Sequence, residues 1–311
     1  MAQKDISEKS LENLNDVFSD IANVLLFNGR QLIGEDELED ALPKTQYKAD
    51  GKLHEQERDV AKYWKSGMMR MAYIGAENQT AIDPDMPLRF YGYDGSAYRQ
   101  QLLLDKRDEN GTVHRNPRYP VVSMLLYFGN KRWKKPKTLM DCMDVPKALL
   151  PFVNDYRMNI FEIAWLTDEQ VQLFKSDFRI VADYFVQKRQ NNDYIPKPDT
   201  IRHVDQVLKF LAAMSGDSRF EDILNDMQGR RPKNMCEVLD RIEARGEARG
   251  ISIGEARGEA RGISIGELKG ENMLSSLIQK LLAEGDTNAI AKVTSDDKIR
   301  KEYYIKYGIV R

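Results

Sequence analysis

The stretch that decides the fold is Met69–Thr80, MRMAYIGAENQT. An apolar run ends in a carboxylate, a spacer and an amide (Glu77, Asn78, Gln79), and Asp83 and Asp85 follow. Residues two apart on a strand share a face, so Glu77 and Gln79 project together. A strand that only filled a core would not need that pair at its end. Hydrolysing a phosphodiester at neutral pH needs a divalent cation to activate water and neutralise developing charge. Hard cations such as Mg²⁺ take oxygen ligands, typically one or two protein carboxylates completed by water and phosphate. Glu77 supplies one carboxylate. Asp59, 18 residues upstream, is the best second, because a hairpin or a helix and turn returns it to the strand end.

Outward from this strand, YPVVSMLLYFG (119–129) is a continuous apolar run between Pro120 and Gly129 and reads as a second, buried strand. Leu11, Leu14, Phe18, Ile21 and Leu25 recur every three or four residues and predict a helix over 7–28. Residues 35–50 read as a polar loop with a short helix. Val60, Tyr63 and Trp64 fit helical spacing within 53–66. Pro and Gly interrupt 79–92, and a helix is expected at 93–106 after Asp94. Asn110-Gly111 marks a turn. From 138 to 240 the pattern is mostly helical, with one long amphipathic helix at 168–189, where Asp168 caps the start, and others near 199–215 and 219–228.

Residues 243–270 read EARG EARG ISIG EARG EARG ISIG ELKG, with glycine at every fourth position. A four-residue step overshoots an α-helical turn by about 40°, so the glycines spiral. Each glycine costs ~1 kcal/mol against alanine in a helix, which makes an isolated helix marginal and favours a semi-flexible spacer. The competing reading is self-association through GxxxG spacing, with Ile251, Ile253, Ile263 and Ile265 as contacts and a homo-oligomer as the result. A small helical tail follows.

Of the 311 residues 41% are hydrophobic, enough for a real core, and 47 basic against 49 acidic residues leave a net charge of −2. Any nucleic-acid surface must therefore be local. The candidate is KRWKKPK (131–137), where Lys131, Arg132 and their neighbours offer charge for phosphate and Trp133 a face for a base. Cys142 and Cys236 are far apart, which argues against a disulfide framework or zinc site and fits a reducing cytoplasm. The three histidines show no ligand spacing, and no phosphate-binding glycine loop occurs. The N-terminus is polar and no apolar run approaches the ~18 residues a bilayer needs, so a cytoplasmic protein without membrane contact is expected.

These residues carry a resemblance. NDVFSDIANVLLFNG (15–29), ERDVAKYW (57–64), YIGAENQT with MPLRFYGYDGSAY (73–80, 86–98), YPVVSMLLYFG and the helical 165–185 come in the order seen in the PD-(D/E)XK nuclease superfamily. Within it, the chain resembles the putative-transposase branch, the recombination-promoting nucleases. The resemblance implies a restriction-endonuclease-like α/β core with a mixed sheet flanked by helices over 1–140. A helical extension would cover 141–240, the glycine repeat would link over 241–270, and a helical module would end the chain at 271–311. It implies a Mg²⁺- or Mn²⁺-dependent DNA endonuclease serving recombination or transposition. Asp59 and Glu77 would hold the metal, and Asp20, with Asp16 as rival, would be the acid of the first helix. Gln79 would stand where the superfamily has lysine. Arg89, Tyr98 and Gln101 would touch DNA. The chain departs from the motif in that Gln79 is neutral and Arg58, not proline, precedes Asp59. A competing class follows from that departure: a degenerate nuclease fold that binds DNA or protein and self-associates.

Overall fold

The computed structural model describes residues 11–41, 44–49, 52–225 and 230–310. Nine strands are described: β1 (Leu38–Asp40), β2 (Lys44–Ala49), β3 (Lys52–Glu57), β4 (Val60–Ser66), β5 (Met69–Gln79), β6 (Lys106–Arg107), β7 (Val113–His114), β8 (Val121–Tyr127) and β9 (Asn159–Glu162). The described α-helices are α1 (Asn15–Leu25), α2 (Met86–Leu102), α3 (Asp168–Gln172), α4 (Phe178–Asn191), α5 (Val204–Ser215), α6 (Arg219–Asn225), α7 (Met235–Ala283), α8 (Thr287–Ser295) and α9 (Asp297–Lys306). The chain divides into two units, Met1–Ile242 and Glu243–Arg311.

The first unit is built on a five-stranded mixed sheet in the order β1-β4-β5-β8-β9. β4 and β5 form an antiparallel hairpin, whereas β5, β8 and β9 run parallel. Gly67, at φ +58°, turns the hairpin. Parallel strands need a crossover, and α2 provides the one from β5 to β8. Alternation then sorts the side chains. Ala72, Ile74 and Ala76 of β5, with Met124 and Leu126 of β8, face α1, α4 and α5 in the largest core cluster. Leu125 and Tyr127 of β8 face the other way, against Met86, Phe90 and Tyr93 of α2, and Tyr73 packs with Ala61, Ala97 and Tyr119. Glu77 shares the face of Tyr73, so it lies on the α2 side.

Several expectations change. The segment 53–66 is not helical: β3 and β4 occupy it. Val60, Ala61 and Lys62 are all buried because β4 is an inner strand covered on both faces, and two-sided burial mimics a helical stripe. The helix expected at 93–106 starts earlier, at Met86, because Pro87 lies in its first turn, where proline is tolerated rather than disruptive. The loop expected at 35–50 contains β1 and β2. The helix expected at 168–189 is two, broken between Gln172 and Phe178. The region 138–240 also contributes a strand, β9, to the sheet edge. The sequence expectations at 7–10 and 226–228 fall outside the described residues.

The repeat also differs from the expected spacer: α7 continues unbroken through residues 243–270. In the second unit Leu277, Leu281, Ala289 and Val293 are buried together, with Ile290, Ile299 and Tyr303 packed against them. Among the described residues, no helix is long and apolar enough to cross a membrane.

Candidate functional site

The β4–β5 register pairs Val60 with Ala76, which sets Asp59, the residue before β4, across from the end of β5 where Glu77 lies. An Asp59 carboxylate oxygen accepts from the backbone N–H of Asn78 at 2.7 Å. The hairpin, not a helix and turn, returns this carboxylate to the strand end. Glu77 is 5% exposed. Its Oε1 accepts from Arg89 Nη2 of α2 at 2.5 Å, and its Oε2 is buried without a hydrogen-bond partner. Burial, and then the nearby charge of Asp59, push the Glu77 carboxyl up to about 8 from 4.5, although Arg89 and Arg58 pull it down. Desolvation and the neighbouring carboxylate thus outweigh the 2.5 Å ion pair.

A second buried set braces this site. Arg58 donates to Ser123 Oγ and, at 2.5 Å, to Asp94 Oδ1, while Tyr156 donates to Asp94 Oδ2 at 2.5 Å. The guanidinium lies 5.0 Å from the Tyr93 ring centroid and 5.5 Å from that of Tyr73. Gly75 is what admits it, since a Cβ there would collide with Arg58. Arg58, just before β4, therefore ties the start of that strand to β8 and α2 beside the two carboxylates.

Of the other candidate residues, Gln79 ends β5 on the Glu77 face, paired in register with Tyr127. Arg89 reaches the site and also holds Asp83 at 3.0 Å and Tyr93 Oη at 3.1 Å. Asp20 goes elsewhere: its Oδ2 accepts from the backbone of Lys175 and Ser176 at 2.8 and 2.7 Å, which pins the turn before α4. Its rival Asp16 sits 3.0 Å from His203 Nε2. The acid that reaches β5 from the first helical segment is Glu12, fully buried, accepting from Asn78 Nδ2 at 2.7 Å. No spacing in the sequence singled out Glu12; its one signal is a carboxylate directly after the first buried leucine, Leu11.

The expected DNA contacts divide. Gln101 is buried, and both ends of its amide bond the backbone of Tyr119, at 2.9 and 3.0 Å, which makes it a brace between α2 and the start of β8. Tyr98 is half exposed, and its hydroxyl accepts from Val121 N. Lys131 and Arg132 are exposed, and Arg132 pairs with Glu162 at 3.2 Å and lies over Trp165. Trp133 offers no face to a base: it is buried edge-on against Tyr127, and its indole donates to Pro136 O at 2.6 Å.

Among the described residues, no group of three or more His, Cys, Asp or Glu is arranged to hold a metal. The unpartnered buried Oε2 of Glu77, with Asp59 close enough to raise its pKa, fits a cation held by two carboxylates whose other oxygen ligands come from water and phosphate. It does not fit an all-protein cage.

Compared with known proteins, residues 49–218, more than half of the chain, match the family described as "Putative transposase, YhgA-like". The matched segment contains Asp59, Glu77, Gln79 and Arg89 and excludes Glu12, Asp20 and the glycine repeat. No curated protein and no solved structure matches the chain.

Proposed function

Since the chain belongs to the YhgA-like transposase family, a family of the PD-(D/E)XK type, we propose that it is a metal-dependent DNA endonuclease with a restriction-endonuclease-like core, acting in recombination or transposition. The observation that carries this reading is the meeting of Asp59 and Glu77 at the end of β5, with the Glu77 Oε2 buried and lacking a partner. In this reading both carboxylates hold Mg²⁺ or Mn²⁺. A cation bound there lowers the pKa of water and offsets the negative charge that grows on the phosphate. Gln79 hydrogen-bonds the attacking water or a phosphate oxygen from the same face. Its amide supplies no positive charge, and Arg89, already beside Glu77, supplies that charge instead. Tyr98, Lys131 and Arg132 offer exposed polar or charged groups for the DNA backbone.

The test is cleavage of supercoiled plasmid with and without Mg²⁺, beside Glu77→Ala and Asp59→Ala. Metal-dependent nicking that both substitutions abolish, in variants that stay folded, supports the site. Nicking retained by either purified variant removes it.

The small donor set and the neutral Gln79 favour a second reading, a non-catalytic module that binds DNA. Such a module keeps its DNA affinity in chelator and nicks nothing.

A further inference from the structure

The repeat helix leaves four large apolar side chains in solvent. Ile251, Ile253, Ile263 and Ile265 are between 46% and 63% exposed, and every residue from 251 to 270 is exposed. They belong to the third and sixth of seven consecutive four-residue blocks, whose order is Glu or Ile, then a small residue or Leu, then Arg, Ile or Lys, then Gly. The third and sixth blocks are thus apolar layers 12 residues, about 18 Å, apart along the helix.

Helical geometry gives these blocks sides. Around Gly246, Glu243 and Glu247 lie about 60° and 100° away in one direction, and Arg249 and Arg245 lie as far in the other. Ala244 falls near the back. The same holds in each charged block, so a Cβ-free stripe winds around the helix by about 40° per block, with acid along one flank and base along the other. In the apolar layers, isoleucine occupies both flanks. A Cβ added at any repeat glycine would meet nothing within 4 Å in this chain. Glutamates four apart, and arginines four apart, also set like charges together on the helix, and glycine weakens it further. A second helix seated on the stripe would offset these losses.

We infer that residues 243–270 pair with the same segment of a second copy of this chain, parallel and in register. The charges choose that occupant and its direction. A two-fold axis along the helices brings each acidic flank against the partner's basic flank and each isoleucine layer against its own kind. A perpendicular two-fold, which makes the pair antiparallel, sets acid on acid and base on base. A repeat longer than the 3.6-residue turn makes the two helices wrap with a right-handed crossing, and the glycines let the backbones approach. This inference stands independently of the nuclease reading.

The experiment uses the full chain. Light scattering at tens of micromolar should give twice 35.9 kDa. Gly254→Leu with Gly266→Leu should weaken the dimer at least tenfold while circular dichroism shows equal or greater helicity, since leucine forms helix better than glycine. A spin label at Ala244→Cys, in a chain with Cys142→Ser and Cys236→Ser, should report about 30 Å between copies; antiparallel pairing gives more than ~40 Å. A wild-type monomer, a leucine variant that dimerises as tightly, or the long distance each overturns the proposal.

Discussion

At the scale of single residues, Glu77 has the most consequential environment. Its carboxyl titrates near 8 in the fold against 4.5 ordinarily, so the fold favours its protonated form. The sign follows from linkage: this contribution to stability is fully present below about pH 4.5 and is lost as pH rises through about 8. In chelator, the unfolding free energy of the wild type should therefore fall relative to that of Glu77→Gln between about pH 5 and 8.5, by an amount on the order of a few kcal/mol. Mg²⁺ should recover the loss at the upper end, because a ligand of the folded state alone stabilises it. Superimposable pH profiles for the two proteins would show that Glu77 is not held as described. Arg89 gives a second expectation. If it supplies the charge that Gln79 lacks, Arg89→Met should lower the nicking rate by roughly 10²-fold, the usual effect of losing one electrostatic contact to a transition state. An unchanged single-turnover rate would assign Arg89 to the ion pair with Glu77 alone.

At the scale of elements, the site depends on how α2 is clamped over β4, β5 and β8, and Arg58 is the clamp. Asp94→Asn leaves the Arg58 guanidinium buried without its counter-charge, and breaking such a pair costs about 3–5 kcal/mol. Gly75→Ala drives a methyl group into the same guanidinium and should cost roughly 1–3 kcal/mol. Both should appear as lower midpoints in urea, and a midpoint within error of wild type for Asp94→Asn would deny Arg58 this role. The elements also explain what the sequence made legible. β5 and β8 were readable because their apolar runs are long and end in Gly or polar residues. Asp59 and Glu77 were readable together because their separation suits a hairpin. β4 was not, since burial on both faces gave Val60, Tyr63 and Trp64 the look of a helical stripe. β9, four residues long, carries too little pattern to show itself. Asp20 looked like the site's acid but bonds the backbone at 175–176, and Glu12 was invisible because its relation to Asn78 is tertiary. The helix through the repeat ran against glycine propensity, the strongest local signal there.

At the scale of the whole molecule, the chain separates a unit that carries the Asp59–Glu77 site from a unit that carries the glycine repeat, and each has its own core. All the residues proposed for catalysis lie before 243, and the charged repeat begins at Glu243. A chain ending at Ile242 should therefore fold cooperatively, remain monomeric and still nick plasmid in Mg²⁺. The intact chain should differ in what it does after the first nick. Pairing through the repeat holds two active sites on one assembly, so the second site acts at a raised effective concentration. The full chain should then convert nicked plasmid to linear with little nicked product accumulating, whereas the truncated chain should accumulate nicked circles and linearise them only as its concentration rises. Gly254→Leu with Gly266→Leu should move the full chain toward the truncated pattern without changing the rate of the first nick. Equal nicked-to-linear ratios for all three proteins, at matched site concentration, would separate self-association from cleavage and leave the repeat without a part in the chemistry.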